Sequence, residues 1–166
     1  ATLETFLTLF RKASGLEAVI QAMNAYPRHS GVQEACCSML RYLAESVENR
    51  ATISALGGLE AVITAMSLHQ EHAGVQEAAC WALKYLALSD ENEVVVAKMN
   101  GLEVIIAAMA NHASYAGVQE QACWALSNLA AREENQKIIA KLNGFDAIFR
   151  AMLSHADHAG VQAAAC

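Results

Sequence analysis

The sequence predicts an all-α solenoid with three helices in each 43-residue repeat, because two motifs recur at that spacing without a single insertion. One motif begins with GVQ, and the other begins with GLE or GFD. Self-similarity with a period of about 20 to 50 residues is typical of proteins whose units bury an apolar face only by stacking on their neighbours. The GVQ motif begins at Gly31, Gly74, Gly117 and Gly160, and the other motif begins at Gly15, Gly58, Gly101 and Gly144.

The motifs divide the chain into the units of one domain that spans residues 1–166. Pro27 is the single proline, and no Gly/Ser-rich, Pro-rich or single-charge stretch interrupts the repeats, so we predict no linker. We interpret the chain as a fragment of a longer array, with about four repeats and one continuous core. The approximate units are 1–14 (partial), 15–57, 58–100, 101–143 and 144–166 (partial).

The first helix of each unit is predicted by an apolar stripe. In the unit at Gly58, Leu59, Val62, Ile63 and Met66 follow the spacing i, i+3, i+4, i+7, which places them on one helical face. The other units repeat the stripe. It consists of Leu16, Val19, Ile20 and Met23, then Leu102, Ile105, Ile106 and Met109, and finally Phe145, Ile148, Phe149 and Met152.

A longer second helix follows a short polar loop. Val75, Ala79, Leu83 and Leu86 mark its apolar face, and its small residues allow adjacent helices to approach closely. We expect one repeated glutamate in its first turn, where a carboxylate interacts favourably with the positive end of the helix. This glutamate is Glu34, Glu77 or Glu120, according to the unit.

A short third helix closes each unit. Val95, Val96 and Met99 form its apolar face in one unit, and a repeated asparagine at its start suits an N-cap or a turn. We expect the corner before the next unit to adopt the left-handed conformation that glycine and asparagine tolerate. The asparagines are Asn49, Asn92 and Asn135, and the corners are Gly57-Gly58, Asn100-Gly101 and Asn143-Gly144.

Charge and composition restrict the classes of partner. The net charge of −6 disfavours binding to a nucleic-acid backbone. No segment approaches the roughly 18 uninterrupted apolar residues of a membrane span, and the first residues do not follow the order of a signal peptide. We therefore predict a soluble protein of the cytoplasm, or of the nucleus, with neither nucleic acid nor a membrane as its partner.

Cysteines recur at one position of the second helix. Packed helices lie roughly 8–10 Å apart, whereas a disulfide needs Cα atoms within about 7 Å. We therefore interpret these cysteines as reduced core residues, which suits an intracellular protein. They are Cys37, Cys80, Cys123 and Cys166.

The segment VQEQACWALSNLA, residues 118–130, follows GLEVIIAAM and closely resembles the armadillo repeat. The resemblance extends over essentially the whole chain. Two-helix HEAT repeats are the nearest alternative, but the glycine corner and the ACWALSNLA helix favour armadillo. The resemblance implies a right-handed superhelical armadillo-type solenoid whose longest helices line a concave groove. It also implies a non-enzymatic scaffold that binds an extended peptide or a partner protein along that groove.

The resemblance also identifies candidate groove residues on the second helices. In members that bind peptides, a tryptophan and an asparagine four residues later project from this helix, and Trp124 and Asn128 match both. The alternative is that the tryptophans pack between units as core. Aligned across the units, the candidate groove consists of Ala35, Ser38 and Tyr42, then Ala78, Trp81 and Tyr85, and finally Gln121, Trp124 and Asn128.

Aromatic bulk is concentrated near the two ends of the chain, in Phe6, Phe10, Phe145 and Phe149. These residues are candidates for an end-to-end contact. They support an alternative function, in which the chain is a structural spacer or a self-associating segment of a longer array.

We predict no catalytic residues, no cofactor and no metal. Two HxxH pairs, His69/His72 and His155/His158, lie in loops, but the spacing supplies no further ligands to complete a four-ligand site. Every candidate nucleophile is itself a repeated structural position. The sequence also lacks the glycine-rich phosphate-binding motifs.

Overall fold

The computed structural model describes residues 15–166, and within that range it contains eleven α-helices and no strand. Phe6 and Phe10 lie outside the described residues. The helices are α1 (Gly15–Ala25), α2 (Ser30–Leu43), α3 (Val47–Ala55), α4 (Gly58–Leu68), α5 (Ala73–Leu86), α6 (Asp90–Lys98), α7 (Gly101–Asn111), α8 (Ala116–Leu129), α9 (Glu133–Lys141), α10 (Gly144–Ser154) and α11 (Ala159–Ala165).

The predicted order of three helices per repeat is confirmed. First helices of 11 residues (α1, α4, α7, α10) alternate with second helices of 14 residues (α2, α5, α8) and third helices of 9 residues (α3, α6, α9). The last second helix, α11, has 7 residues. Each second helix packs on the second helix of the next unit, and each first helix packs on the next first helix. One apolar core therefore runs through the stack.

The repeated cysteines line the contact between successive second helices. Cys37, Cys80 and Cys123 are buried and free, and Cys166 is exposed. Burial raises the pKa of the Cys123 thiol to about 12, and it raises the pKa values of Cys37 and Cys80 further above their usual range. Buried thiols held in the protonated state are small core residues rather than nucleophiles, as the sequence predicts for Cys37, Cys80 and Cys123. The same prediction is wrong for Cys166, because that residue is exposed.

The glutamine of the GVQ motif links the second helix to the end of the first helix and the loop between them by hydrogen bonds. In the second unit, the Nε2 atom of Gln76 donates to the carbonyl oxygens of Met66 at 2.9 Å and His69 at 2.8 Å. Both carbonyls lie near the end of the first helix, where carbonyl groups lack intrahelical partners. This role explains why the motif includes a polar residue at a buried position. Gln33, Gln119 and Gln162 form the same pair of bonds.

The prediction that Glu34, Glu77 and Glu120 lie in the first turn of the second helix is wrong, because no acidic residue is found there. Glu34 is the fifth residue of α2, and its carboxyl group lies against Gly74 of the next unit. A Cβ atom at Gly74 would approach the Glu34 Cδ atom to 2.7 Å. The glutamate therefore faces the positive N-terminal end of the following helix, as the helix dipole favours.

The prediction that Asn49, Asn92 and Asn135 form an N-cap or a turn is also wrong, because all three lie within the third helices. The N-cap positions hold Ser46, Ser89 and Arg132. The asparagines point back to the preceding helix, where each Nδ2 atom donates to a carbonyl oxygen at the C-terminal end of a second helix. These bonds measure 2.8 Å for Asn49 to Leu43, 2.9 Å for Asn92 to Leu86 and 2.9 Å for Asn135 to Leu129.

The left-handed corners before the first helices are confirmed. Gly57 has φ 79°, and Asn100 and Asn143 both have φ 58°. Each corner reverses the chain between a third helix and the next first helix. Only residues that tolerate positive φ at low cost fit this conformation.

One buried carboxylate departs from the pattern of the third helices. Arg50 donates its Nε–H to the Ala44 carbonyl at 2.8 Å, and Gln136 donates its Nε2–H to the Ala130 carbonyl at 2.7 Å. The equivalent residue of α6 is Glu93, which is only 7% exposed and which has no proton to donate when it is ionised. The fold therefore favours a hydrogen-bond donor at this position.

Replacing Glu93 with glutamine is expected to stabilise the protein by about 1 kcal/mol at pH 7 by restoring that donor. Burial and the nearby Asp90 raise the pKa of Glu93, and Arg132 opposes them. The protonated Glu93 side chain thus stabilises the folded protein fully at pH values below its ordinary pKa of 4.5. This stabilisation is lost as the pH rises through the higher pKa of the folded state. The gain from Glu93→Gln should therefore shrink as the pH falls towards 4.5, which urea denaturation at several pH values would reveal. A gain that does not change with pH would contradict this assignment.

Among residues 15–166, no single helix is long and apolar enough to cross a membrane. The helices α3 and α4 reach that length and composition only as a pair, with a bend of 72° between them.

Candidate binding surface on the second helices

The predicted groove residues occupy equivalent positions on α2, α5 and α8, and the structure places them at different depths. Tyr42 is 61% exposed and Ala35 is also exposed, whereas Ala78 and Gln121 are buried at 6% and 4% exposure. The other five residues are partly buried. They are Ser38, Trp81, Tyr85, Trp124 and Asn128.

A cation from one unit covers the tryptophan of the next unit. The Arg41 guanidinium carbon lies 3.8 Å from the centroid of the Trp81 ring and 4.3 Å from the centroid of the Tyr42 ring. Arg41 also donates a hydrogen bond to the Tyr42 hydroxyl. At these distances the positive charge interacts with the electron-rich ring faces.

The same arrangement recurs one repeat later. The Lys84 Nζ atom lies 5.0 Å from the centroid of the Trp124 ring and 5.5 Å from the centroid of the Tyr85 ring. The sequence identifies the aromatic positions but not these contacts. Aligning the units does place the cations beside the candidate groove, because Arg41 and Lys84 each precede a tyrosine of the second helix. We call Arg41, Tyr42, Trp81, Lys84, Tyr85 and Trp124 the aromatic-cation row.

Asn128 uses its amide within the protein. Its Nδ2 atom donates to the Lys84 carbonyl oxygen of the preceding unit at 2.8 Å. That carbonyl lies in the last turn of α5, where intrahelical partners are missing. The Asn128 side chain therefore links two units.

Two buried polar atoms near the row have no hydrogen-bond partner. They are the Nε atom of Arg41 and the Oε1 atom of Gln121. Gln121 donates its Nε2–H to the Glu120 carboxylate at 3.2 Å. Unpartnered buried polar atoms are infrequent in folded proteins.

A comparison with protein families matches the model of the Armadillo/beta-catenin-like repeat at residues 46–88 and 89–131, two consecutive spans that cover half of the chain. The chain belongs to the armadillo repeat family. A comparison with curated proteins found no match. Each armadillo span begins just before a third helix and ends just after a second helix, so it contains one third, one first and one second helix in that order.

The loops of the armadillo units carry a histidine ladder. The Nε2 atom of His69 contacts the Pro27 carbonyl oxygen of the preceding unit at 2.8 Å. A carbonyl only accepts, so Nε2 carries the proton. His112 and His155 form the same contact with the carbonyl oxygens of Gln70 at 2.7 Å and Ala113 at 2.8 Å.

A second set of histidines caps the second helices. The Nδ1 atom of His72 accepts from the Val75 N–H at 3.3 Å and lies 3.9 Å from the Glu34 carboxylate. His29 and His158 cap their helices in the same way. These contacts assign structural roles to both histidines of each HxxH pair. Within the described part of the chain, no group of three or more His, Cys, Asp or Glu side chains is placed to hold a metal ion.

The first helix of the last unit presents an apolar face. Phe145 and Phe149, one turn apart on α10, are 55% and 60% exposed, and Leu153 is exposed on the next turn. Their counterparts in the second unit, Leu59 and Ile63, are buried beneath the following unit.

Proposed function

We propose that this armadillo array is a non-enzymatic scaffold that binds an extended segment of a partner protein across α2, α5 and α8. Armadillo repeat domains are generally protein-interaction scaffolds. The observation that carries the proposal is the aromatic-cation row, which continues over three successive second helices. Partly exposed indole and phenol rings supply rigid contact area with little loss of side-chain entropy, and they dominate binding energy at many protein interfaces.

The size of the surface agrees with a short segment. Three stacked helices at roughly 8–10 Å spacing give about 30 Å, which an extended chain crosses in about 6–9 residues at about 3.3 Å per residue. The free buried thiols favour a cytoplasmic or nuclear location for this scaffold.

Replacing Trp124 with alanine is expected to weaken partner binding by at least about tenfold, because the variant loses a partly exposed indole ring of the proposed binding surface. Proximity labelling in cells would compare the partner lists of the wild type, Trp124→Ala and the triple variant Trp81→Ala/Trp124→Ala/Asn128→Ala. Partners of the binding surface should disappear from the lists of both variants.

One control and one further groove variant keep this test interpretable. Tyr115→Ala removes an exposed aromatic side chain in the loop between α7 and α8, and it should leave the partner list unchanged. Because Trp124 also packs against the core and Asn128 bonds to Lys84, Tyr42→Ala serves as a variant at a largely exposed position. Circular dichroism should show that Tyr42→Ala retains the helices. Identical partner lists for the wild type and all groove variants would refute the proposal.

A second function is favoured by the exposed Phe145, Phe149 and Leu153 face, namely self-association or stacking of a further unit on α10. Replacing Phe145 and Phe149 with serine should then lower the apparent mass in light scattering at high protein concentration. A wild-type protein that stays monomeric under those conditions excludes strong self-association.

A further inference from the structure

No carboxylate in the part of the chain that the structure describes pairs with either cation of the aromatic-cation row. In residues 15–166, the ion pairs involve other side chains, and none joins a carboxylate to Arg41 or Lys84. The single side-chain hydrogen bond of Arg41 goes to the neutral Tyr42 hydroxyl, and its buried Nε atom has no partner. The row therefore carries two uncompensated positive charges, although the chain as a whole has 17 acidic and 11 basic residues.

Two aromatic rings restrain the Arg41 guanidinium. The guanidinium carbon lies over both rings, 3.8 Å from the centroid of Trp81 and 4.3 Å from the centroid of Tyr42. The N–H groups of a guanidinium point outward in its own plane, and a carboxylate binds them edge-on through two parallel hydrogen bonds. Because Nε is buried and one N–H of Nη2 is donated to the Tyr42 hydroxyl, the remaining N–H groups of the terminal nitrogens are left for this contact. Because the rings restrain the guanidinium before binding, little further ordering is needed.

We infer that the partner segment is acidic, and that two of its carboxylates bind the Arg41 guanidinium and the Lys84 ammonium while the intervening residues contact the rings. This inference rests on the proposed function of the second helices as a peptide-binding surface. The third unit has Ser127 at the position of Arg41 and Lys84, so the acidic contacts are confined to the first two positions. In the third unit, the segment instead meets the remaining hydrogen-bonding groups of Asn128.

Helix spacing predicts the separation of the two carboxylates. Arg41 and Lys84 occupy equivalent positions on stacked helices, which pack roughly 8–10 Å apart. A polyproline II segment advances about 3.1 Å per residue and presents every third side chain on the same side. Acidic residues three positions apart therefore match the two cations.

The net charge of −6 acts against an acidic ligand, but only at long range. At physiological ionic strength the Debye length is about 8 Å, so charges farther from the binding surface are largely screened. The two cations, which contact the ligand directly, dominate the interaction. Reversing the charge of one of these two cations should therefore change the affinity for the acidic ligand more than neutralising a distant acidic residue does.

The test uses three fluorescein-labelled peptides, each with three copies of a tripeptide: Glu-Pro-Ser, Gln-Pro-Ser or Lys-Pro-Ser. Fluorescence anisotropy with the purified chain at about 0.15 M salt should show that the glutamate peptide binds at least about tenfold more tightly than the glutamine peptide. The lysine peptide should not bind. Lys84→Met and Arg41→Met should each weaken binding of the glutamate peptide at least about fivefold, since each loses a charged contact.

Lys98→Met is the matched control, because it removes an exposed lysine from the end of the third helix α6. It should leave binding unchanged. Glutamate-peptide binding that survives Lys84→Met and Arg41→Met would overturn the inference, and so would no binding by any peptide up to about 1 mM. If the glutamine or lysine peptide binds as tightly as the glutamate peptide, and Trp81→Ala abolishes that binding, the inference fails while the proposed function stands. Unchanged urea midpoints for both methionine variants would show that the loss concerns binding rather than folding.

Discussion

Replacing Gln119 with methionine is expected to destabilise the array by about 2–4 kcal/mol. The Gln119 side chain is buried, and its Nε2 atom donates to the carbonyl oxygens of Met109 at 3.0 Å and His112 at 2.9 Å. Methionine has a similar length but no donor, so both carbonyls lose a hydrogen bond where water does not replace it. Leaving a buried acceptor unsatisfied costs more than the net gain of an ordinary hydrogen bond.

Urea denaturation would measure the loss, and Gln136→Met is the matched control. Gln136 also donates its Nε2–H to a carbonyl, that of Ala130 at 2.7 Å, but it is exposed, so water replaces the lost donor. We expect the control to lose no more than about 0.5 kcal/mol. Equal losses in the two variants would show that burial of the Gln119 bonds contributes nothing.

Replacing Gly101 with alanine is expected to cost about 2–3 kcal/mol, because the corner before α7 has no space for a Cβ atom. Such an atom would lie 2.4 Å from the Val96 Cγ1 atom and 2.8 Å from the Val96 carbonyl oxygen. The carbonyl belongs to the backbone of α6, so it cannot turn away as a flexible side chain would. The third and first helices would have to separate.

Gly31→Ala provides the opposite expectation at another helical glycine. A Cβ atom there would meet the His29 ring at 3.4 Å, which is an ordinary contact. Alanine is favoured over glycine within a helix by about 0.5–1 kcal/mol, so this variant should have a higher melting temperature than the wild type. If both alanine variants melt at the wild-type temperature, steric exclusion does not explain the glycine at Gly101.

The local patterns of the chain predict its helices well, and the reason is geometric. The stripe of Leu59, Val62, Ile63 and Met66 depends only on 3.6 residues per turn, and all four side chains are buried. The corners at Gly57, Asn100 and Asn143 depend on the φ angle of single residues. Both kinds of signal are contained within a few consecutive residues.

Predictions that concerned a side chain's partner were less successful. Glu34 was expected to interact with its own helix, but it faces Gly74 of the next unit. Asn92 was expected to form an N-cap or a turn at the start of the third helix, but it binds the Leu86 carbonyl at the end of the preceding helix. In both cases the residue type suits a helix end, but the helix end belongs to another element.

The candidate binding surface shows the same division. The resemblance placed Trp81, Trp124 and Tyr42 on one face of the second helices, and the structure places them on successive helices of the stack. It did not indicate that Arg41 would cover Trp81, or that Asn128 would donate to Lys84. These contacts join residues 40 and 44 positions apart, so they depend on how one repeat is rotated against the next.

The sequence by itself determined the 43-residue period, the three helices, their apolar faces and the left-handed corners, because each follows from the geometry of neighbouring residues. Only the tertiary structure decided what the repeated polar residues bind. The Gln76 amide, the His69 ring and the Arg41 guanidinium find their partners in loops or neighbouring units. Those distances are set by the packing of whole helices, which no local pattern specifies.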